Sequence, residues 1–173
     1  YKWICSLKNK KNDCKRKKVI IGHSGDKADN HKNIIDVVEK YKSEDVEFIF
    51  ILSYGNKEYI SELRNYIEKK LGNSATIVDQ FIELKEYIQL ISSIDIFILD
   101  TLYSSALGML SYAAFFEKKI FINRKGIIAK ALNEINAGVY YTDDIENMSY
   151  EEFINYKFDG KLSSLHNIHP VCE

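Results

Sequence analysis

The stretch KKVIIGHSGDKADNH, residues Lys17–His31, decides the fold prediction. It opens with an apolar run of β-branched residues, breaks into a glycine-containing loop, and leads into residues with helical spacing. A short continuous apolar run that ends in glycine is typical of a strand buried on both faces of a parallel sheet. The stretch therefore predicts a first strand, a loop at its carboxyl end, and a helix that begins a βαβ unit.

The same alternation continues along the chain. Apolar strand patterns lie at residues 18–22, 46–52, 75–79, 94–100, 119–123 and 139–142, and helical patterns at 33–41, 57–71, 84–93, about 105–117, 127–136 and 149–156. Right-handed crossovers place such strands in one sheet. We predict an α/β, Rossmann-like domain over residues 18–160, with a parallel six-stranded sheet and helices on both faces. Residues 1–17 are predicted to be a basic linker or tail, and residues 161–173 a C-terminal tail.

Composition narrows the classes of function. The chain has 173 residues, 46% of them apolar, and a net charge of -1. This balance argues against nucleic-acid binding, which needs an excess of Lys and Arg. Seven basic residues do crowd residues 8–18, where a solvated linker and a contact with an acidic lipid surface are the two interpretations.

The compartment is predicted from cysteines and hydropathy. Three scattered cysteines without a CxxC pair fit a reducing cytoplasm better than a disulfide framework. The sequence contains no apolar run of membrane-spanning length. We expect a cytoplasmic protein, with a peripheral contact on the inner face of the cytoplasmic membrane as the alternative.

Ligands of open parallel sheets bind beyond the carboxyl ends of the strands. The first such end carries Gly22, His23, Ser24, Gly25 and Asp26, where glycines allow close backbone approach and N–H groups can cradle an anion. The loop matches neither GxGxxG nor a P-loop. The alternative is a plain glycine turn with a cap for the next helix.

Three later strand ends add single candidates. Tyr54 is able to stack on a flat ring, Glu83 to accept from a ribose or a base, and Asn123 with Arg124 to meet a phosphate or carboxylate. Taken one at a time, Tyr54 and Glu83 are typical of ordinary loop residues.

The fourth strand end, LDTLYSSALGML, is the richest. A strand reaches Asp100, a loop of small residues follows, and a helix is predicted to begin near Ser104 or Ser105. A helix N-terminus carries unpaired N–H groups and about half a positive charge, which suits a pyrophosphate. The serines are also simple N-cap candidates.

Metal and nucleophile chemistry find little support. His23 and His31 share a loop without a third ligand, and no Ser-His-Asp elbow or DxD motif is present. The residues thus predict a pocket for a nucleotide or nucleotide sugar, with no metal and no cofactor, and not a self-contained catalytic centre.

Five segments in collinear order carry a resemblance. VIIGHSGDKADNH, LSYGNKEYI, IELKEYIQLISSIDIFI, FINRKGI and VYYTDDI, from about Lys18 to Ile145, resemble the C-terminal half of family 56 glycosyltransferases. These are the TDP-Fuc4NAc:lipid II transferases, or 4-acetamido-4,6-dideoxygalactosyltransferases, described as 4-alpha-L-fucosyltransferase-like.

The resemblance implies a GT-B glycosyltransferase, in which two Rossmann-like domains face each other across a cleft. This chain would be the C-terminal, donor-binding domain for a TDP-sugar or another nucleotide sugar. A missing N-terminal domain would bring a polyprenyl-diphosphate-linked acceptor and the catalytic base. No catalytic residue is therefore assigned, and we expect the fragment alone to be inactive.

The resemblance also implies roles for individual residues. It places Ser24 and Gly25 at the phosphates and Tyr54 and Glu83 at the ribose or base. The positions that match the family are Gly22, Ser24, Gly25, Asp26, Tyr54, Glu83, Asn123 and Arg124. In the loop after the fourth strand only Gly108 matches, which leaves the sugar open, and the role of His23 is open as well.

Two alternatives remain. One is a non-enzymatic α/β module that binds a nucleotide or docks a partner. The other is a GT-B transferase that uses a different nucleotide sugar.

Overall fold

All six predicted strands are present and form one parallel sheet in the order β3-β2-β1-β4-β5-β6. The structure, a computed structural model, describes residues 2–8, 16–157 and 159–162. The strands are β1 (Lys17–Ile21), β2 (Val46–Ile51), β3 (Ala75–Val78), β4 (Ile96–Leu99), β5 (Lys119–Ile122) and β6 (Tyr140–Tyr141). The prediction of a Rossmann-like α/β fold is confirmed.

Seven α-helices are described around this sheet. They are α1 (Lys2–Lys8), α2 (His31–Val38), α3 (Lys57–Leu71), α4 (Leu84–Ser93), α5 (Leu107–Phe115), α6 (Ile127–Glu134) and α7 (Tyr150–Ile154). One apolar cluster packs α1, α4, α5 and α6 on one face of the sheet. A second packs α2, α3 and α7 on the other.

The strand order reverses direction between β1 and β4. Consecutive connections leave this point in opposite directions, so a crevice opens at the carboxyl ends of β1 and β4. The central strands around it are fully buried, as Ile20, Phe97 and Ile98 illustrate, because helices cover both faces. The sheet therefore supplies a rigid base for the loops that follow β1 and β4.

Four helices differ in extent from the prediction, and two of them, α6 and α7, end two residues earlier than predicted. The helix predicted over 33–41 spans His31–Val38 and continues as a 3-10 turn, Glu39–Tyr41. The helix predicted from about Ser105 to Glu117 begins at Leu107. It starts late because Ala106 has a left-handed backbone, with φ of 60°.

The prediction of a linker or tail over residues 1–17 is wrong for residues 2–8, which form α1. Ile4 on this helix is buried in the core cluster that contains α4. Cys5 is disulfide-bonded, which the scattered cysteines did not predict. At the other end, Leu162 is buried in the same cluster although it falls in the predicted tail. Residues 9–15 and 163–173, with their basic, cysteine and histidine residues, lie outside the described residues.

Two lysines hold the C-terminal segment, residues 142–154, against the sheet. Lys40 Nζ donates to the carbonyls of Ile145, Glu146 and Met148 at 2.7–2.9 Å. The buried Lys119 Nζ donates to three carbonyls at the end of α7, at 2.6–2.9 Å. Each ammonium group thus satisfies carbonyls that a helix end leaves without partners.

None of the described helices has the length and apolar character needed to cross a membrane.

Candidate functional site

Asp100, at the carboxyl end of β4, is the centre of the loops that meet at this edge. Its carboxylate is only 3% exposed. Oδ2 accepts from Asn30 Nδ2 at 2.6 Å and from Asn33 Nδ2 at 3.3 Å. Oδ1 accepts from Asn123 Nδ2 at 2.9 Å and from Thr142 Oγ1 at 2.5 Å. One side chain therefore joins the ends of β1, β4, β5 and β6.

A polar cavity of about 210 Å³ lies beside this carboxylate. Its lining consists of amide, hydroxyl and charged residues: Asn30, Asn33, Asp100, Asn123, Arg124, Lys125, Thr142 and Asp143. Three predicted site residues, Asp100, Asn123 and Arg124, are thus brought together at one place.

Arg124 is paired with two carboxylates. Its Nε and Nη2 donate to Asp143 at 2.8–3.2 Å, and Nη2 also donates to Asp144 at 2.6 Å. The guanidinium lies 3.9 Å from the centre of the Tyr141 ring. The hydrogen bond from Arg124 lowers the pKa of Asp143, since it favours the ionised carboxylate. Two carboxylates after β6 thus accept from the Nε and Nη2 groups of the predicted phosphate ligand.

The first loop is closed around a different carboxylate, that of Asp29, which is 1% exposed. The main-chain N–H groups of His23 and Ser24 donate to Asp29 Oδ2 at 2.9 and 3.1 Å. The N–H groups of Gly22 and Gly25 donate to the carbonyls of Ile98 and Tyr54. The prediction that N–H groups of residues 22–25 are available to an anion is wrong, because each has an internal acceptor.

Below Asp29 lies His31, which is fully buried. Its Nδ1 lies 3.3 Å from Tyr59 Oη, and its Nε2, 3.9 Å from Asp29 Oδ2, has no hydrogen-bond partner in the described structure. Burial lowers the pKa of His31 to about 4. Burial also raises the pKa of Asp29, but hydrogen bonds from His23 outweigh it, and the net pKa is below the usual range. The first loop is thus built on an ionised aspartate beside a neutral histidine.

The two glycines of this loop serve packing. A Cβ on Gly22, where φ is 72°, would lie 2.3 Å from His31 Nε2, and one on Gly25 would lie 2.3 Å from Ile60 Cγ1. Ser24 is buried, so its hydroxyl is not open to a phosphate. The contacts of Ser24 and Gly25 with the phosphates, which the family resemblance implied, therefore conflict with the geometry.

Three other predicted residues lie apart from the cavity. Tyr54 is half exposed, and its hydroxyl donates to the carbonyl of His23 at 2.9 Å. Asp26 is exposed and caps a 3-10 turn by accepting from Ala28 N. Glu83 is exposed at the residue before α4. They surround the same edge of the sheet without contacting Asp100.

The N-terminus of α5 is open. No described side chain caps it, and its first turn contains no acidic residue. Gly108 is exposed, and a Cβ added at this position would have no neighbour within 4 Å among the described atoms. Ser104 is exposed, whereas the Ser105 hydroxyl is buried without a partner among the described atoms. The strained φ of Ala106 lies directly before this turn, and backbone strain of this kind is concentrated at ligand sites.

Large apolar side chains surround these loops. At this edge, seven of those that the structure describes are at least half exposed: Tyr54, Phe81, Leu84, Leu102, Tyr103, Leu107 and Ile127. We call them the apolar rim. Exposed apolar side chains mark an interaction face where they form a contiguous patch.

Sequence reasoning missed four residues of these networks: Asn30, Asn33, Asp29 and Thr142. Three of them contact Asp100 from distant parts of the sequence, 70 residues away in the case of Asn30, whereas the partners of Asp29 lie in its own loop. The available signal was their position, since Asn30 and Asn33 follow the first strand end and Thr142 the sixth. Among the residues that the structure describes, no three His, Cys, Asp or Glu side chains are grouped so that they could hold a metal ion.

Comparisons with known proteins agree with this fold. The family model described as "4-alpha-L-fucosyltransferase glycosyl transferase group 56" matches residues 2–155. The sequence has no significant match among curated proteins.

Several solved structures share this fold at low sequence identity. The C-terminal domain of LpcC, a glycosyl transferase group 1 family protein of Francisella tularensis, has a TM-score of 0.68 at 14% identity. That match covers 92% of this chain and 88% of the other. HepE of Anabaena, solved with UDP and glucose, has a TM-score of 0.67 at 16% identity, over 96% of this chain and 47% of the other. A glycosyltransferase of Rickettsia africae has a TM-score of 0.61 at 14% identity, over 76% of this chain and 35% of the other. This chain therefore spans less than half of the last two proteins.

Proposed function

Since the chain belongs to the 4-alpha-L-fucosyltransferase family, glycosyl transferase group 56, we propose that it is the donor-binding domain of a glycosyltransferase. The donor is a nucleotide-activated sugar, held at the carboxyl edge of the sheet, where open α/β sheets bind their ligands. The finer assignment is an amino-deoxy sugar carried by TDP.

The observation that carries this proposal is the open N-terminus of α5. Free N–H groups, the positive end of the helix dipole and an exposed Gly108 allow a pyrophosphate to approach the backbone directly. In this arrangement the leaving nucleotide diphosphate is stabilised by the helix end, and the reaction needs no bound metal.

The apolar rim supports a second domain on the other side of the donor. Side chains such as Phe81 and Tyr103, 82% and 64% exposed, would be covered when a facing domain closes over the site and excludes water. We propose that this domain brings a polyprenyl-diphosphate-linked acceptor and the catalytic base. The enzyme would then work at the inner face of the cytoplasmic membrane, which follows from the proposed acceptor and not from the cysteines, since Cys5 is disulfide-bonded.

Thermal unfolding with TDP, UDP, GDP, ADP and inorganic phosphate tests donor binding. A ligand at about 100 times its Kd adds roughly 2.7 kcal/mol to the unfolding free energy, which raises Tm by roughly 5–11 °C for a domain of this size. We expect TDP to give the largest shift. A larger Tm shift with another nucleotide would identify that nucleotide as the one that carries the sugar. An equal Tm shift with inorganic phosphate alone would mean that the site binds anions without recognising the nucleotide.

The pair Gly108→Asp and Gly108→Asn tests the place of binding. A Cβ at this exposed position would have no neighbour within 4 Å among the described atoms, and an aspartate in the first turn stabilises a helix by about 0.3–1 kcal/mol. Gly108→Asp should therefore keep or raise the Tm of the free protein yet lose the nucleotide shift, because its carboxylate repels phosphate. Gly108→Asn keeps a similar shape without the charge and should retain most of the shift. A full shift in Gly108→Asp would exclude the N-terminus of α5 as the phosphate site.

A further inference from the structure

The cavity beside Asp100 differs in chemistry from the N-terminus of α5. Among its lining residues, the positive charges of Arg124 and Lys125 are matched by the negative charges of Asp100 and Asp143. Arg124 is moreover bound to Asp143 at 2.8 Å. The charges of the lining residues thus cancel and leave no net charge to attract a phosphate, and the remaining polar groups are three carboxamides and the hydroxyl of Thr142.

These carboxamides are fixed in orientation by Asp100. Asn30 and Asn33 each use Nδ2 to donate to Asp100 Oδ2. A carboxamide that donates to a carboxylate on one side presents its carbonyl oxygen and its second N–H on another. Asn30 keeps its place through a left-handed backbone, with φ of 51°, a conformation that asparagine tolerates better than most residues. Acceptors and donors are therefore held side by side in fixed positions.

Fixed, neutral, paired donors and acceptors suit hydroxyl and acylamino groups, each of which both donates and accepts. We infer that the cavity beside Asp100 binds the sugar ring of the donor, with Asn30 and Asn33 as the residues that contact its ring substituents. This assignment rests on the proposed donor-binding function. Asp100 is a positioning residue here, since its own oxygens are taken up by the four donors.

The loop after β4 connects the two subsites. It starts at Asp100 and ends at the first turn of α5, so the carboxylate that orients Asn30 and Asn33 and the proposed phosphate site belong to the same loop. The loop is held in place from the next strand end, since Ile127 N donates to the carbonyl of Leu102 at 3.2 Å and Gly126 leaves no room for a Cβ beside the carbonyl of Thr101. The proposed phosphate site and the carboxylate that orients Asn30 and Asn33 thus lie at opposite ends of one anchored loop.

Calorimetric titration of this chain with TDP, TDP-glucose, UDP and UDP-glucose tests the inference. We expect one nucleotide sugar to bind more tightly than its nucleoside diphosphate. Two variants remove the proposed sugar contacts: Asn33→Ala, on the exposed face of α2, and Asn30→Gly, which keeps the left-handed backbone. Each should weaken the affinity for the nucleotide sugar about three- to tenfold and leave the affinity for the diphosphate unchanged. Asn65→Ala, an exposed asparagine on α3, is the matched control and should change neither.

Side-chain amide signals in nitrogen-edited NMR spectra give a second readout that a purely structural role would not move. Those of Asn30 and Asn33 should shift with the nucleotide sugar and not with the diphosphate. If the diphosphate binds but the sugar adds no affinity, or if the added affinity survives both variants, the sugar cavity is excluded while donor binding stands. If neither ligand binds, donor binding by this chain fails, and the sugar cavity with it.

Discussion

Asp29 and Asp100 are both buried carboxylates at the carboxyl edge, and they differ in where their hydrogen-bond donors lie. Asp29 accepts from His23 and Ser24, six and five residues away in its own loop. Asp100 accepts from residues 23 to 70 positions away, on three other segments. The first carboxylate fixes the shape of one loop, and the second fixes the positions of several loops relative to each other.

This difference bears on function. A loop closed on its own carboxylate has used its N–H groups internally and presents little to a ligand, although its glycines gave it the appearance of an anion cradle. A carboxylate that collects side chains from several strand ends creates a cavity between them. The candidate site is accordingly at Asp100 and the start of α5, beside the first loop and not in it.

Removing the local carboxylate should have the largest effect. Asp29→Ala leaves the N–H groups of His23 and Ser24 without their acceptor in a buried loop, at a cost of about 4 kcal/mol in unfolding free energy. Urea unfolding measures it. Asp26→Ala, which removes an exposed carboxylate from the same loop, is the control at about 1 kcal/mol or less. A loss below about 1 kcal/mol for Asp29→Ala would mean that water replaces the carboxylate.

The buried histidine makes stability depend on pH in a defined window. The pKa of His31 is about 4 in the folded chain and near 6.5 when unfolded, so the unfolded chain binds more protons between these values. The unfolding free energy should therefore fall as the pH drops from 7 to 4, by about 3 kcal/mol from this group.

Urea unfolding at a series of pH values measures this slope. His31→Asn, which keeps a polar group near Tyr59 Oη and does not titrate, should flatten the curve between pH 6.5 and about 4. An unchanged slope in the variant would assign the pH dependence to other groups.

Asp100→Asn should lower the unfolding free energy by about 2 kcal/mol, less than Asp29→Ala. Its structural effects should nevertheless extend to more segments of the chain. Asn30 and Asn33 are exposed and can be hydrated once released, whereas a carboxamide at position 100 turns an NH₂ group toward two donors. Backbone NMR signals should shift around residues 30, 123 and 142 together. For Asp29→Asn we expect shifts confined to residues 22–31, and the same spread for both variants would remove the distinction drawn above.

Thr142→Val tests one arm of the Asp100 network and should have the smallest effect. It removes a hydrogen bond of 2.5 Å from a buried hydroxyl, worth about 1 kcal/mol, as thermal unfolding can measure. Thr76→Val, at an exposed hydroxyl bonded to Glu47, should be close to neutral. Equal losses in the two variants would indicate a cost of the valine itself.

Much of the fold could be predicted from sequence because its determinants are local. Continuous apolar strands such as β4 indicate burial on both faces, and their alternation with helices indicates the parallel sheet. Because ligands of open parallel sheets bind beyond the carboxyl ends of the strands, the sequence predicted Asp100, Asn123 and Arg124 as site residues. These three residues do line one cavity.

What failed was the assignment of partners. Nothing local shows that Asp29 will take the N–H groups of His23 and Ser24, or that Arg124 will pair with Asp143 and Asp144. Helix α1 was missed because it is short and followed by basic residues, although Ile4 joins the core. The pairing of Arg124 and the packing of α1 are decided by contacts between segments, and the hydrogen bonds of Asp29 by the backbone conformation of its loop. A single sequence displays neither.

The hydrogen bonds by which two lysines hold residues 142–154 also determine how this segment moves. Lys40 and Lys119 bind carbonyls along this segment, and Thr142, at its start, reaches Asp100 at the carboxyl edge of the sheet. Amide exchange in this segment should accordingly proceed through one shared opening, as a cooperative unit that detaches while β1, β2 and β4 stay protected. Each such opening would remove the hydrogen bond from Thr142 to Asp100, so that motions of α7 would alter the cavity.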